Sequence, residues 1–378
     1  MFTAESRQRD FPSLGGMAYL NTAAECIPPA CVHEALETYW ADKSRGMRGR
    51  EAHYATLESA RMVAAKFLGL GAGEVGFCSC TSEAYNLLAT ALDLKSGDEV
   101  VVSDLDFPSG ATPWLASSSG CETRLWQSRE GALLADDLMP MLNDRTRLVQ
   151  VSLVSFFNGY RLEWELFHEA VRSLAPNAVL SVDLTQALGR IVLDCPGADI
   201  VIASSYKWTL GIHGGCIVGV PQDRAGRLTT RAGGWYHLAN AFDTDRFERA
   251  VPKPGAASFM VGMPAFPAVY ALNASLRYLD GIGVVNIAHH ADPLVQHVHN
   301  GLRELRLKPM APHNPAASSG IVAFRHPHTA EMHKALEAAD VHVMHQAGRM
   351  RIALHGYNTH EDVKRCLDVL ASEVDKTG

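Results

Sequence analysis

Two residues of complementary chemistry stand 24 positions apart in the segment LSVDLTQALGRIVLDCPGADIVIASSYK: Asp183, which closes an apolar run, and Lys207. A primary amine can bond a carbonyl carbon, and a carboxylate can keep a neighbouring ring nitrogen protonated. The combination suits pyridoxal phosphate, whose aldehyde needs a lysine and whose pyridine nitrogen must hold its proton for the ring to draw electrons from a substrate carbanion. Taken singly, each residue has a plainer explanation, because an aspartate at a strand end often caps the next turn and a lysine is usually a solvated charge. The setting of Lys207 is unusual for a surface lysine. It follows the apolar run Ala198 to Ala203 through Ser204, Ser205 and Tyr206, and it precedes Trp208 and the glycine-rich Gly211-Ile212-His213-Gly214-Gly215.

Other residues could complete such a site. Thr81 and Ser82 open a helical pattern directly after a strand pattern, so their hydroxyls and backbone N–H groups could hold a phosphate at the positive helix end. Read alone, they are more simply N-cap residues. Arg351, in MRIALHGYNTHEDV, carries a planar fork that suits a carboxylate, although any single arginine can be a surface ion pair.

The motifs together resemble the class V aminotransferase group of the fold-type I pyridoxal phosphate enzymes, which includes cysteine desulfurases, isopenicillin N epimerase-like proteins and kynureninase. VDLTQALG matches the family's VDxxQxxG, which implies Asp183 on the pyridine nitrogen and Gln186 near the ring hydroxyl. SSYKW matches SxxK(W/L), implying a phosphate contact at Ser204 and the cofactor bond at Lys207. CTSEAYN is similar to GTTEAxN, with Cys80 where the family has glycine, and it assigns Thr81 and Ser82 to the phosphate. DLDFPS through Pro113-Trp114 resembles the EFPSN...PW stretch of the epimerase-like branch, which places the Phe107 ring against the cofactor. YNT-x-ED makes Arg351 the receiver of the substrate carboxylate. Asn158, in SFFNGYRLE, is an approximate counterpart of a substrate-side residue.

Departures from the family pattern point to the branch. Tyr206 stands where desulfurases have histidine. Ser258, in GAASF, replaces the threonine that sends a phosphate ligand into the neighbouring subunit, and the resemblance implies a homodimer. The stretch from 340 to 351 carries no cysteine, Cys366 lies on the last helical pattern, and Cys26 is the one thiol retained as a neighbour of the site. The reading is a cytoplasmic, homodimeric enzyme acting on a small amino acid. Transamination ranks above elimination at Cβ or epimerisation at Cα, without a persulfide-forming activity on cysteine, and a silent pyridoxal-binding regulator is the remote alternative.

The elements that must position these residues alternate. From about residue 74, apolar runs (EVGFCSC, EVVVSDLD, RLVQVSLVSF, AVLSVDLTQ) exchange with helical patterns (TSEAYNLLATAL, PSGATPWLASS, WELFHEAVRSL), the signature of a mainly parallel α/β sheet covered by helices. Ligands then belong at the carboxyl ends of the strands. A long helical stretch follows from about Pro267 to Arg306, with breaks expected near Gly281, Gly283 and Pro293, and the tail reads as an α+β module. The expected division is a large domain over 20–265 and a small one over 1–19 and 266–378.

Bulk properties exclude several classes. The 378 residues are 47% hydrophobic, enough for a large core, and 41 acidic against 34 basic residues give a net charge of -7, with no basic aromatic-rich patch for nucleic acid. No apolar run is long enough to cross a bilayer, and the N-terminus lacks a secretion signal. Eight cysteines without a CxxC pair do not form a disulfide framework. Seventeen histidines raise the question of metal, but His297 and His299 would sit about 200° apart on a helix, and no ligand spacing occurs. The GIHGG segment leads into a strand-like CIVGVP rather than a helix, so it is not a dinucleotide loop.

Overall fold

The structure is a computed structural model that describes residues 2–117 and 119–377. Its strands, in chain order, are β1 (Ala18–Tyr19), β2 (Val75–Cys78), β3 (Glu99–Ser103), β4 (Glu122–Trp126), β5 (Thr146–Ser152), β6 (Val179–Asp183), β7 (Ile200–Ser204), β8 (Cys216–Gly219), β9 (Ile321–Arg325), β10 (Val341–His342), β11 (Met344–Gln346) and β12 (Arg349–Ala353). A seven-stranded sheet in the order β2-β8-β7-β6-β5-β3-β4 forms the centre. Every pairing from β7 across to β4 is parallel, and β8 is the one antiparallel insertion. β2, β3, β6 and β8 are buried along their whole length, which explains their near-continuous apolar sequences. β4, ETRLW, is the exposed edge strand, and its polar alternation hid it among the loops of the sequence.

Helices Thr81–Leu92 and Trp164–Leu174 coincide with their predicted segments. The long C-terminal helical stretch breaks once, at Gly283, whose φ of 84° ends Phe266–Ile282 before Val284–Glu304 begins. The break expected at Pro293 does not occur. Proline in a helix interior costs about 3 kcal/mol, but the residues that follow it, Leu294, Val295, Val298 and Leu302, are fully buried in one core, and their packing outweighs the lost hydrogen bond.

The apolar clusters show how the chain divides. Val269, Leu272 and Leu276 of helix Phe266–Ile282 belong to the core beneath the large sheet, where this helix lies against helices Ala30–Ser44 and Arg50–Leu68. The helix Val284–Glu304 instead packs with β9, β12 and the final helix. We therefore place the seam between the two regions near Gly283. The N-terminal segment joins the second region, since β1 pairs in parallel with β10 and Ala18 and Leu20 lie in its core. β10 and β11, separated only by Val343, part ways: β10 pairs with β1, while β11 pairs with β12 in a three-stranded sheet. No helix among the described residues is long and apolar enough to cross a membrane.

Candidate active site

Five chain segments leave the carboxyl ends of the sheet and meet in one pocket. β2 leads through Ser79 and Cys80 to Thr81; β3 leads to Phe107 and Ser109; β5 ends at Ser152 and continues to Phe156. β6 ends at Asp183, before Thr185 and Gln186, and β7 ends at Ser204, before Tyr206 and Lys207. Each is where an open α/β sheet presents its ligand-binding groups.

Lys207 is held in place by its loop. Ser205 Oγ donates to the carbonyls of Ile212 and Gly215 at 2.6 and 2.8 Å, folding the glycine-rich segment back under the lysine. A Cβ on Gly215 would come within 2.7 Å of that same Oγ, so the close return needs glycine there. Trp208, fully buried, donates Nε1 to Gln186 Oε1 at 2.6 Å, and its carbonyl meets His355 Nε2 at 3.0 Å. The lysine turn is thereby fixed to both regions of the molecule.

The Lys207 Nζ lies 5.2 Å from the Phe107 ring centre and 5.3 Å from that of Tyr206. Burial lowers its pKa to about 8; Asp183 and Glu25 oppose the shift, and Arg351 adds to it. An amine so placed is a competent nucleophile near neutrality, unlike a surface lysine. Phe107 packs edge-on against Phe156 at 4.9 Å and keeps 39% of its surface exposed, so a ring face is available to a planar ligand.

Asp183 is buried within a polar network. Thr185 N–H donates to Oδ1 at 2.7 Å, Tyr85 OH donates to Oδ2 at 3.1 Å, and Gln150 Nε2 donates to the Tyr85 oxygen at 3.2 Å. Burial raises the Asp183 carboxyl, while Thr185, Lys207 and Tyr85 pull it back toward ionisation. Neighbouring Asp106 is pushed up to about 6 by burial, although the N–H groups of Ser103 and Ser152 bond its oxygens at 2.9 and 2.6 Å. Tyr85, Gln150 and Phe156 were not singled out in the sequence, because a helix interior, a strand interior and a loop aromatic give no local sign of meeting. Ser152 had a usable signal: it ends β5 in direct register with Asp183.

The remaining expected residues divide. Thr81 Oγ1 bonds Ser109 Oγ at 3.2 Å on the pocket wall, whereas Ser82 lies one position into the same helix, outside the lining. Gln186 lines the pocket and donates Nε2 to Ala23 O at 3.0 Å. Arg351, 2% exposed, donates Nη1 to the carbonyl of Phe156 at 2.7 Å, and its Nε has no partner. Burial and then Arg349 lower its pKa to about 9, which leaves it charged at neutral pH. Asn158 is not brought into the pocket. Its Nδ2 donates to Gly131 O at 2.8 Å, its Oδ1 accepts from Tyr160 N–H at 3.0 Å, and it borders a separate pocket with His299 and His313. Ser258 is fully buried and its hydroxyl is spent, donating to Gly255 O at 2.7 Å and accepting from the N–H of Thr230, 28 residues away, at 3.0 Å.

These donors fit pyridoxal phosphate. Ser204 Oγ is buried without a partner on the pocket wall. The helix Thr81–Leu92 begins with no side-chain cap from Cys80, so its first N–H groups remain for an anion. Phosphate would meet both. Among the cysteines, Cys80 is exposed at this mouth, whereas Cys26 donates to Gly211 O at 3.2 Å and burial pushes its thiol up to about 12. No group of three or more His, Cys, Asp or Glu able to hold a metal ion occurs among the described residues.

The model of the aminotransferase class-V family matches residues 18–366. An uncharacterized aminotransferase of Bacillus subtilis, YcbU, is 28% identical over 372 residues, covering 98% of each chain. A probable cysteine desulfurase of Methanothermobacter thermautotrophicus is 25% identical over 392 residues, covering 95% of each. Among solved structures, the apo cysteine desulfurase of Thermococcus onnurineus NA1 superposes with a TM-score of 0.88 at 24% identity, over 100% of this chain and 99% of that one. The cystine C-S lyase C-DES, in complex with cysteine persulfide, gives 0.87 at 21% identity, over 96% and 99%. At these identities the two structures speak to the fold alone.

Proposed function

The chain belongs to the aminotransferase class-V family, and from that premise we propose that it transfers the amino group of a small amino acid, with Lys207 and Asp183 as its central pair. It is a pyridoxal phosphate enzyme with the fold-type I arrangement. The observation that carries the site assignment is the burial of an amine with a pKa near 8 and a hydrogen-bonded carboxylate on the wall of one pocket.

When bound, the cofactor supplies an electron sink that makes a substrate Cα–H bond acidic. Lys207 would hold the cofactor through its aldehyde, and its Nζ would take and return the substrate Cα proton. Asp183, supported by Tyr85 and Thr185, would keep the ring nitrogen protonated. Thr81 and Ser204 would receive the phosphate, with Phe107 and Gln186 on the pocket wall to hold the ring. Arg351 orients the substrate through its α-carboxylate. Asn158 and Ser258 are left out of this assignment because neither lines the pocket and their polar atoms bond elsewhere in the protein.

A second reading, elimination at Cβ, draws support from relatives named cysteine desulfurase and from the structural likeness to a C-S lyase. Against the desulfurase form of it, β11 and β12 are joined by Ala347 and Gly348 alone, both at positive φ as a tight hairpin requires, which leaves no thiol-bearing loop before Arg351. Single-turnover incubation separates the readings. Transamination yields one keto acid per subunit with no free ammonia; ammonia or sulfide release selects the lyase.

Homodimerisation is part of the proposal. Phe242 and Phe247, 83% and 90% exposed, and Trp40, 70% exposed, are large apolar side chains in search of a partner surface. Light scattering tests it. All eight cysteines are free thiols, which suits the reducing cytoplasm.

A further inference from the structure

β12 shows alternate side chains to the two cores. Met350 and Ile352 are fully buried among the C-terminal elements, while Ala353 packs into the core of the large sheet. Arg349 and Arg351 share the Ala353 face, about 7 Å apart along the strand. They therefore sit between the two regions, 1% and 2% exposed.

Neither has a carboxylate partner among the described residues. Arg349 donates Nε to Phe157 O at 2.9 Å and Nη1 to Gln346 O at 3.2 Å, lies 4.1 Å from the Phe157 ring centre, and leaves Nη2 without an acceptor. Arg351 leaves Nε unpartnered. The residue across the sheet from Arg349 is Arg325, a third cation. A buried charge normally carries its counter-charge. Arg190, equally buried, does so: its Nη2 meets Asp292 at 2.7 Å.

The two unpaired guanidinium groups bracket the Phe156–Phe157 segment. Arg351 bonds the Phe156 carbonyl, Arg349 lies 5.7 Å from the Phe156 ring centre, and Phe156 lines the pocket with Lys207. As a mere brace for Phe157, Arg349 would need no charge. Two fixed cations on one strand face match a ligand with two anions.

We propose that Arg349 is a second anion-binding residue which, beside Arg351, selects α-amino acids whose side chain ends in a carboxylate. The inference rests on the reading of Arg351 as the α-carboxylate anchor. A neutral side chain leaves Arg349 uncompensated, so the pair discriminates against it.

Calorimetric titration of the cofactor-loaded protein with glutarate and with butyrate tests the pairing without turnover. Glutarate is expected to bind at least tenfold more tightly in the parent, and Arg349→Gln to weaken glutarate to the level of butyrate, with Arg349→Lys recovering part of the preference. Equal binding of the two ligands in the parent, with Arg351→Gln weakening both, overturns the second anion site and leaves the proposed function standing. Binding of neither, in protein whose cofactor is bonded to Lys207, removes Arg351 as anchor and the inference with it. The parent comparison decides even where a variant fails to fold.

Discussion

The sheet side of the pocket and the C-terminal strand behind Phe156 treat buried charge in opposite ways. On the parallel-sheet side, Asp183 is met by Thr185 N–H and by Tyr85, which is itself met by Gln150, so the carboxylate is braced before any ligand arrives. On the C-terminal side, Arg351 has one carbonyl and an idle Nε, and Arg349 has an idle Nη2. Under the proposed assignment, the difference separates a permanent resident from a passing one. A group that stays bound can be met by a fixed polar network, whereas a substrate that must leave is held by charges that are unmatched without it.

Removing the amine breaks the comparison most severely. Lys207→Ala is expected to abolish the visible band of bonded cofactor and to lower kcat/KM by about 10³-fold or more, since bond and base are lost together. Retained activity with the band gone would move the base elsewhere. Asp183→Asn comes next: an amide cannot hold a ring nitrogen protonated, so kcat should fall by about 10²-fold with cofactor still bound. Parent-like kinetics would show the braced wall to be structural.

Arg351→Lys probes the C-terminal side. An ammonium lacks the two-pronged fork, and loss of one charge-assisted bond of about 1.5–3 kcal/mol raises KM by about 10 to 100-fold, with a smaller change in kcat. A fall in kcat with KM unchanged would place Arg351 in the chemistry rather than in binding.

The smallest effect is on pH. With Lys207 near 8, the rate at which cofactor-free protein captures pyridoxal phosphate should rise with pH to a midpoint near 8. The same shift has a stability counterpart. Below pH 8 the buried ammonium weakens the fold, and the penalty fades as pH rises from 8 toward the ordinary 10.5, where the unfolded chain also loses its proton. Melting temperatures of parent and Lys207→Ala should therefore converge across that window; a constant gap contradicts the assignment.

What could be read from the sequence follows from how local each signal is. Thr81, Phe107, Asp183, Gln186, Ser204 and Lys207 all lie at or just past a strand's carboxyl end, and strand ends can be seen in apolar runs punctuated by Ser, Asp and Pro. Tyr85 reaches Asp183 from the middle of a helix 98 positions away, a meeting that only the sheet order creates. Ser258 and Asn158 stand in recognisable motifs, but the hydrogen bonds that occupy them are made by neighbours with no motif of their own. Arg349 was in plain view beside Arg351. Its importance lies in burial and in the missing counter-charge, neither of which a sequence displays. Pro293 and the split at Val343 show the same limit, since packing of the second region decided both against local preference.

Whether one lysine bonds the cofactor is decided by borohydride reduction of the cofactor-loaded protein followed by peptide mapping. The account predicts a single pyridoxyl label on Lys207. A label on Lys66, Lys95 or Lys253, with Lys207 unmodified, would contradict it.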